Sequence, residues 1–174
     1  AATPWPAPRH TRRMLVLQGC AQPGIAPTIN PAMARVLDRI GISLVHAPAA
    51  GCCGAVSYHL NAQDEGLDYM RRNIDAWWPY VEQGIEAIVM TASGCGVTVK
   101  EYGHLLQRDQ RYGDKAKRIS ALTKDAAEIL TAERQALASR LSPPASRPRT
   151  VAFHSPCSLQ HGQQIRELAE SLLS

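Results

Sequence analysis

The chain contains the stretch Ile42-Ser43-Leu44-Val45-His46-Ala47-Pro48-Ala49-Ala50-Gly51-Cys52-Cys53-Gly54. Its first five residues form a short apolar run that Pro48 ends, which is typical of a buried β-strand. Two adjacent cysteines then follow between glycines. Neighbouring side chains on a strand point to opposite faces, whereas a tight turn between glycines lets both sulfurs point at one ligand. A buried strand followed by cysteines is the unit from which we predict both the fold and the site.

The same unit recurs along the chain. Apolar runs typical of strands cover residues 13–18, 42–46, 86–90 and 150–153. A cysteine follows each of them, and the five cysteines are Cys20, Cys52, Cys53, Cys95 and Cys157. Every cysteine of this chain is therefore predicted to lie just after a strand.

Apolar residues at helical spacing separate these strands. They predict helices over about 30–40 and 61–81, after Cys95, in one stretch from Asp114 to Leu130, and from about Gln163. The resulting order βαβαβααβα predicts the α/β fold class, with a doubly wound, parallel, flavodoxin- or Rossmann-like sheet of about four strands and helices on both faces. We expect the strand order 2-1-3-4.

The predicted sheet gathers the thiols at one edge. The carboxyl ends of parallel strands meet at the same edge, where open α/β folds bind ligands. Soft thiolates there suit an iron–sulfur cluster, zinc or cuprous copper, and a redox-active dithiol is a further possibility. The sequence therefore predicts a thiol site at the carboxyl edge of the sheet.

Composition excludes several classes of function. The 174 residues carry a net charge of +4, with the basic residues scattered, so no nucleic-acid partner is expected. No apolar run is long enough to cross a bilayer, so no transmembrane segment is expected. Five cysteines, an odd number, in a chain of this size argue against a disulfide scaffold and favour a metal or thiol site.

The cysteine motifs also carry a family resemblance. Gly19-Cys20, Cys52-Cys53-Gly54 and Gly94-Cys95 resemble the cysteine-rich CCG domain of heterodisulfide reductase B subunits, lactate-utilisation proteins and the iron–sulfur subunits of glycolate oxidase. The resemblance to the last group is close over nearly the whole chain. The stretches that carry it include 34–41, 51–56, 73–80, 90–104 and 156–162.

This resemblance implies an electron-transfer iron–sulfur subunit of glycolate dehydrogenase, part of a multi-subunit enzyme that oxidises glycolate to glyoxylate. It implies a [4Fe-4S] cluster in the full protein, flavin-binding partner subunits that carry FAD, and a cytoplasmic location, peripheral on the inner face of the membrane through the complex. The chain on its own is expected to be inactive. Cys20, Cys52, Cys53 and Cys95 are the expected metal ligands, with Cys157, His154 and His59 as additional candidates.

The resemblance also predicts the domain organisation. We expect a linker or arm over 1–12, a first CCG domain over 13–140, a linker over 141–149, and the start of a second, truncated CCG unit over 150–174. The family pattern ends in C-x-x-C, and here Ala92 stands at the first of those positions and Cys95 at the second. The first unit therefore keeps four cysteines, enough for a [4Fe-4S] cluster or for zinc.

Two other functions stay open at this point. A structural zinc module would only assemble a complex, because zinc has no redox chemistry. A thiol–disulfide domain would use Cys52 or Cys53 directly, although adjacent cysteines form only a strained disulfide. Tyr58 and Tyr102 are further residues that could line the thiol edge.

Overall fold

A sheet of four parallel strands forms the centre of the protein in a computed structural model that describes residues 4–141 and 150–173. The strands are β1 (Arg12–Val16), β2 (Ile42–His46), β3 (Ile88–Met90) and β4 (Thr123–Asp125). Their spatial order is β2-β1-β3-β4, which confirms the predicted order for the first three strands. In register, Met14 lies opposite Leu44, and Leu15 lies opposite Ile88.

Helices occupy most of the connections. They are α1 (Gln22–Ile25), α2 (Ile29–Arg39), α3 (Ala55–His59), α4 (Gln63–Glu82), α5 (Ser93–Leu105), α6 (Gly113–Leu122), α7 (Ala126–Ala132), α8 (Arg134–Ala138) and α9 (Leu168–Leu173), with a π-helical segment at Ser158–Gly162. Pro79 lies in the last turn of α4, three residues before the helix ends. Within the residues described, no helix is both long and apolar enough to cross a bilayer.

Helices cover both faces of the sheet. Successive side chains of β1 point to opposite faces, so they belong to two different cores. Met14 and Val16 pack in a core with residues of α2 and α7. Leu15 packs in a second core with residues of α4, α5 and α6. In that second core the fully buried rings of Trp77 and Tyr102 stack with centroids 6.4 Å apart. The predicted doubly wound α/β fold is therefore confirmed.

The fourth strand is not where the sequence predicted it. It occupies Thr123–Asp125, inside the stretch from Asp114 to Leu130 that helical spacing had assigned to one helix. The Asp125 carboxylate accepts a hydrogen bond from the backbone N–H of Ala127, and the Glu128 carboxylate accepts one from the backbone N–H of Asp125, so a capping box starts a new helix there. The apolar residues of α6 and α7 keep the same helical spacing across β4. Hydrophobic periodicity alone therefore does not reveal that one helix ends and another begins.

The predicted strand at 150–153 is wrong. These residues have no regular structure, and all four are exposed. The predicted last helix from Gln163 is also interrupted, since Gln164 and Glu167 have positive φ angles of 57° and 64° and α9 begins only at Leu168. Cys157 consequently does not follow a strand of the sheet.

The first described residues form an arm against β2 and α2. The Trp5 indole donates to the carbonyl of Leu44 at 2.9 Å, and Arg9 and His10 contact the carboxylate of Asp38. The expected arm over 1–12 therefore contacts the domain where it is described. Of the expected linker over 141–149, residues 142–149 lie outside the described residues, and the domain boundaries stay predictions.

Candidate functional site

Three strand ends deliver four of the five cysteines to the carboxyl edge of the sheet. Cys20 follows β1, the pair Cys52 and Cys53 follows β2, and Cys95 follows β3 in the first turn of α5. The three strands are neighbours in the sheet, so the loops that carry these residues are neighbours too. The arrangement follows from parallel pairing alone.

The four thiols interact with one another as a chain of contacts. Neighbouring thiols affect each other's pKa in turn, Cys20 that of Cys52, Cys52 that of Cys53, and Cys95 that of Cys53. Cys20 is exposed, Cys52 and Cys95 are half-buried, and only 4% of Cys53 is exposed. The site therefore runs from the surface into the core.

Cys53 is the thiol most ready to ionise. A hydrogen bond from the thiol of Cys95 lowers the pKa of Cys53 to about 6, against the opposing effect of burial, and the backbone N–H of Ala55 helps. The same hydrogen bond and burial raise the pKa of Cys95. The pair therefore holds one proton on Cys95 and favours a thiolate at Cys53, the form that binds metals and attacks disulfides.

Burial also governs Cys52. It raises the pKa of that thiol, while the backbone N–H of Gly54, 3.5 Å from the sulfur, acts in the opposite direction. Such N–H donors stabilise negative charge on sulfur and tune the potentials of sulfur-ligated centres.

Two buried side chains hold the backbone of the cysteine pair. The Asn73 side chain of α4 accepts from the N–H of Gly51 at 2.9 Å and donates to the carbonyl of Cys52 at 2.8 Å. The Tyr102 hydroxyl of α5 donates to the carbonyl of Cys53 at 2.8 Å. Neither Asn73 nor Tyr102 is exposed to solvent. We call these two residues the backbone clamp.

The turn after the pair requires glycine. Gly54 has a φ of 88°, in the left-handed region, and it precedes the first residue of α3. A Cβ atom at this position would lie 2.5 Å from the carbonyl oxygen of Gly66 in α4. The backbone of α4 thus passes too close to the turn for any side chain.

A polar network fixes the loop that carries Cys20. Gln22, two residues after Cys20, donates to the hydroxyl of Thr91 at 3.0 Å, and Thr91 donates to Asn30 at 2.5 Å. Thr91 directly follows β3, so this network ties the first cysteine loop to the loop that leads to Cys95. A cavity of about 80 Å³ remains between Cys20, Cys95 and Ala92.

The additional candidates Cys157, His154 and His59 are all exposed. Cys157 is exposed and precedes the π-helical segment, which contacts α5 through a 2.6 Å hydrogen bond between the hydroxyls of Ser158 and Ser93. His154 is exposed, and His59 is exposed at the end of α3 with its ring edge-on to that of Tyr58. In the described part of the chain, none of the three forms a hydrogen bond with Cys20, Cys52, Cys53 or Cys95. Whether they bind a metal stays a prediction.

The side chains at the site suit a cofactor held by thiolates. Four thiols from three loops supply the soft donor set that iron–sulfur clusters and zinc both accept. The backbone N–H donors at Gly54 and Ala55 complement sulfur-borne negative charge. Over residues 4–141 and 150–173, no three His, Cys, Asp or Glu side chains converge closely enough to hold a single metal ion.

Tyr102 is a residue that the sequence predicted at the thiol edge, whereas no role for Asn73 was predicted. The signal for Asn73 was weak, because a single amide on the apolar face of a long helix is visible only as an exception to the hydrophobic stripe. Arg72 was also missed. Its guanidinium stacks on the ring of Tyr69 at 4.9 Å, and it lies within contact distance of Gly51, so a positive charge stands beside the cysteine turn.

Comparison with known proteins gives relatives along the whole chain. The chain is 53% identical over 173 residues to the glycolate oxidase iron-sulfur subunit of Escherichia coli K12, which covers 99% of this chain and 41% of that protein. It is 28% identical over 119 residues to the probable glycolate oxidase iron-sulfur subunit of Bacillus subtilis 168, covering 68% of this chain and 26% of that protein. It is 26% identical over 102 residues to lactate utilization protein A of the same bacterium, covering 59% and 41% of the two chains.

The chain thus spans about two fifths of the length of the E. coli relative. No solved structure matches it. Residues 14–100 match the cysteine-rich domain family CCG, over β1, β2, β3 and the four thiols that lie together. The chain belongs to the CCG family of cysteine-rich domains.

Proposed function

We propose that this chain is the cysteine-rich part of an iron–sulfur subunit that transfers electrons during the oxidation of a 2-hydroxy acid, with glycolate as the substrate of the whole enzyme. The observation that carries the proposal is the contact between four thiols delivered by three adjacent strand ends. The 53% identity to the E. coli glycolate oxidase iron-sulfur subunit supports the choice of substrate.

In this proposal Cys20, Cys52, Cys53 and Cys95 hold a [4Fe-4S] cluster. The cluster, when bound, supplies one-electron transfer. The residues of the chain have three tasks. The backbone clamp fixes the turn that carries Cys52 and Cys53, the Gly54 N–H donates to the sulfur of Cys52, and burial keeps water from Cys53. A metal would displace the proton that Cys95 now shares with Cys53.

The rest of the enzyme is part of the same proposal. Flavin-binding partner subunits with FAD would oxidise the hydroxy acid, and this chain would receive the electrons without contacting the substrate. The same proposal includes a domain division around residues 141–149, a second CCG unit from residue 150, and a cytoplasmic, membrane-peripheral location. The chain on its own is expected to be inactive, because the FAD that oxidises the hydroxy acid would be bound by the partner subunits.

A second candidate function is thiol–disulfide exchange. The hydrogen-bonded pair of Cys53 and Cys95 favours it, since a thiol whose pKa is lowered to about 6 is a reactive one at neutral pH. Cys53 is buried, however, and a protein disulfide could reach it only after the site opens. The electron-transfer proposal needs no such opening.

Metal content separates these possibilities. The chain, or a longer protein that contains it, is reconstituted without oxygen with iron and sulfide, and iron, zinc and visible absorbance are measured. We expect about four irons for each chain. Replacement of Cys20, Cys52, Cys53 or Cys95 by serine should remove most of that iron, whereas Cys157→Ser tests whether this additional candidate is also a ligand.

Two results would contradict the proposal. A colourless protein with one zinc ion would identify a structural metal site. A metal-free protein whose thiols form a reversible disulfide between Cys53 and Cys95 would favour exchange chemistry.

A further inference from the structure

We propose that a cavity between α2 and the end of α8 binds a partner protein through a segment in which acidic residues flank an apolar side chain. The cavity has a volume of about 290 Å³. Arg35, Arg39 and Arg140 line it together with Val36, Leu137 and Leu141. We call it the arginine cavity.

The three arginines lack a partner of opposite charge. In the described ranges, none of them forms an ion pair. The carboxylates nearest to them in sequence are taken, since Asp38 binds Arg9 and His10, and Glu133 binds Arg12. Three positive side chains around one cavity repel each other unless an anion joins them.

Arg35 carries a hydrogen-bond donor that has no acceptor within the described residues. Its Nη1 atom is shielded from solvent and has no hydrogen-bond partner. An unpaired donor on a charged, shielded group is unfavourable, and a carboxylate is the acceptor that matches a guanidinium with two parallel hydrogen bonds. Arg35 therefore keeps unused hydrogen-bonding capacity beside the cavity.

The remaining lining favours an apolar anchor. Val36 is 37% exposed and Leu141 is 76% exposed, so large apolar side chains face solvent here. The volume lies just below the range for small-molecule pockets, about 300–1,000 Å³, and suits one or two apolar side chains of a docking segment. An apolar anchor surrounded by charged contacts is the usual anatomy of such a binding site.

The chain itself does not supply the missing charge nearby. Residues 142–149, which directly follow Leu141 in the sequence, contain two arginines and no carboxylate. The net charge of +4 also makes a second copy of this chain a poor counter-ion. Charge complementarity therefore points to an acidic segment of a different protein.

The position of the cavity separates it from the thiol site. Arg39 ends α2, which runs back from the carboxyl edge of the sheet, so the arginine cavity lies toward the opposite edge. A partner bound there leaves Cys20 accessible. This inference does not depend on the electron-transfer proposal.

Peptide binding tests the inference directly. The probe is a labelled short peptide with a central leucine between glutamates, and the comparison peptide has glutamines in their place. We expect the full 174-residue chain to bind the acidic peptide at least tenfold more tightly, with affinity falling as salt rises. Arg35→Gln and Arg140→Gln should each weaken binding about tenfold.

The control is Arg108→Gln, which changes an exposed arginine outside the cavity. It should leave peptide affinity unchanged, and all variants should keep the iron content of the parent protein. Arg140 is exposed, so its variant should fold even if Arg35→Gln does not. The inference would be overturned if the two peptides bound equally well, or if Arg108→Gln weakened binding as much as the cavity variants. It would also be overturned if no peptide bound and the chain instead self-associated in a way that Arg140→Gln abolishes.

Discussion

The Nδ2 atom of Asn73 lies 3.2 Å from the hydroxyl of Tyr102, and the two side chains together bind three backbone groups of the cysteine turn. Asn73 comes from α4 and Tyr102 from α5, so the turn between Gly51 and Cys53 is positioned by two helices that follow it in the chain. The geometry of the thiols is therefore a property of the packed core. Changes in the clamp should affect folding and the site together.

Tyr102→Phe removes the hydroxyl that donates to the carbonyl of Cys53. The buried carbonyl then has no partner, and we expect the free energy of unfolding to fall by about 1–2 kcal/mol. Urea denaturation measures this change. Tyr80→Phe is the matched control, because the Tyr80 hydroxyl forms no hydrogen bond in the described residues, and its effect should stay below about 0.5 kcal/mol. Equal losses in the two variants would show that the clamp is not a stabilising contact.

Gly54→Ala places a methyl group 2.5 Å from the carbonyl oxygen of Gly66 at a residue whose φ is 88°. Gly84→Ala is the control, since Gly84 has a similar φ of 81° and open space around it. We expect the control to lose about 1–2 kcal/mol of stability from backbone strain alone. The Gly54 variant should lose at least roughly 2 kcal/mol more, because α4 must move. Thermal or urea unfolding would contradict this if both variants were equally stable.

Asp38 should make docking of the N-terminal arm depend on pH. Its hydrogen bond with Arg9 lowers the pKa of the Asp38 carboxyl below the ordinary value, with a smaller contribution from His10 and with burial opposing both. A lowered native pKa gives stability that is present above the unfolded value of about 3.9 and is lost as the pH falls through the native pKa. The arm should therefore release Trp5 in acid.

The NMR signal of the Trp5 indole N–H, which binds the carbonyl of Leu44, reports this release. In Asp38→Asn the acid transition of the signal should disappear, and Arg9 should no longer hold the arm. Asp64→Asn changes an exposed carboxylate on α4 and should leave the transition in place. A Trp5 signal that titrates identically in the parent protein and in Asp38→Asn would refute this account.

Asp125→Ala should weaken the start of α7. The variant loses the hydrogen bond to the backbone of Ala127 and the contact with Gln163, and a lost N-cap costs about 0.5–2 kcal/mol. Burial raises the pKa of the Asp125 carboxyl, so its contribution to stability falls as the pH rises above the unfolded value of about 3.9. The deficit of the variant in urea denaturation should be largest in acid and smaller at neutral pH.

Asp125→Asn keeps an acceptor for the backbone of Ala127, since asparagine is a good N-cap residue. It should therefore lose less stability than Asp125→Ala at every pH. The assignment of the capping box would fail if the alanine variant were as stable as the asparagine variant.

Sequence patterns predicted the elements whose signal is local. Short-range periodicity and turn residues predict the strands near Met14 and Leu44, the long helix around Trp77, and the placement of cysteines after three strands. The fourth strand escaped prediction because three residues inside a helical stripe carry too little periodicity to be seen. The capping pair Asp125 and Glu128, three residues apart, was the available signal for that break.

The sequence by itself predicted that all five thiols would lie at one edge, and it determined the placement of the four that follow β1, β2 and β3, because parallel strands end at one edge. Only the tertiary structure decided that Cys157 follows no strand of the sheet, since its predicted strand does not form and its segment contacts α5 instead. Tertiary structure also decided that Cys53 is the buried, readily ionised member of the group. The reason is physical: strand ends are set by local pattern, whereas burial and hydrogen bonds such as that of Asn73 to Cys52 depend on how distant helices pack.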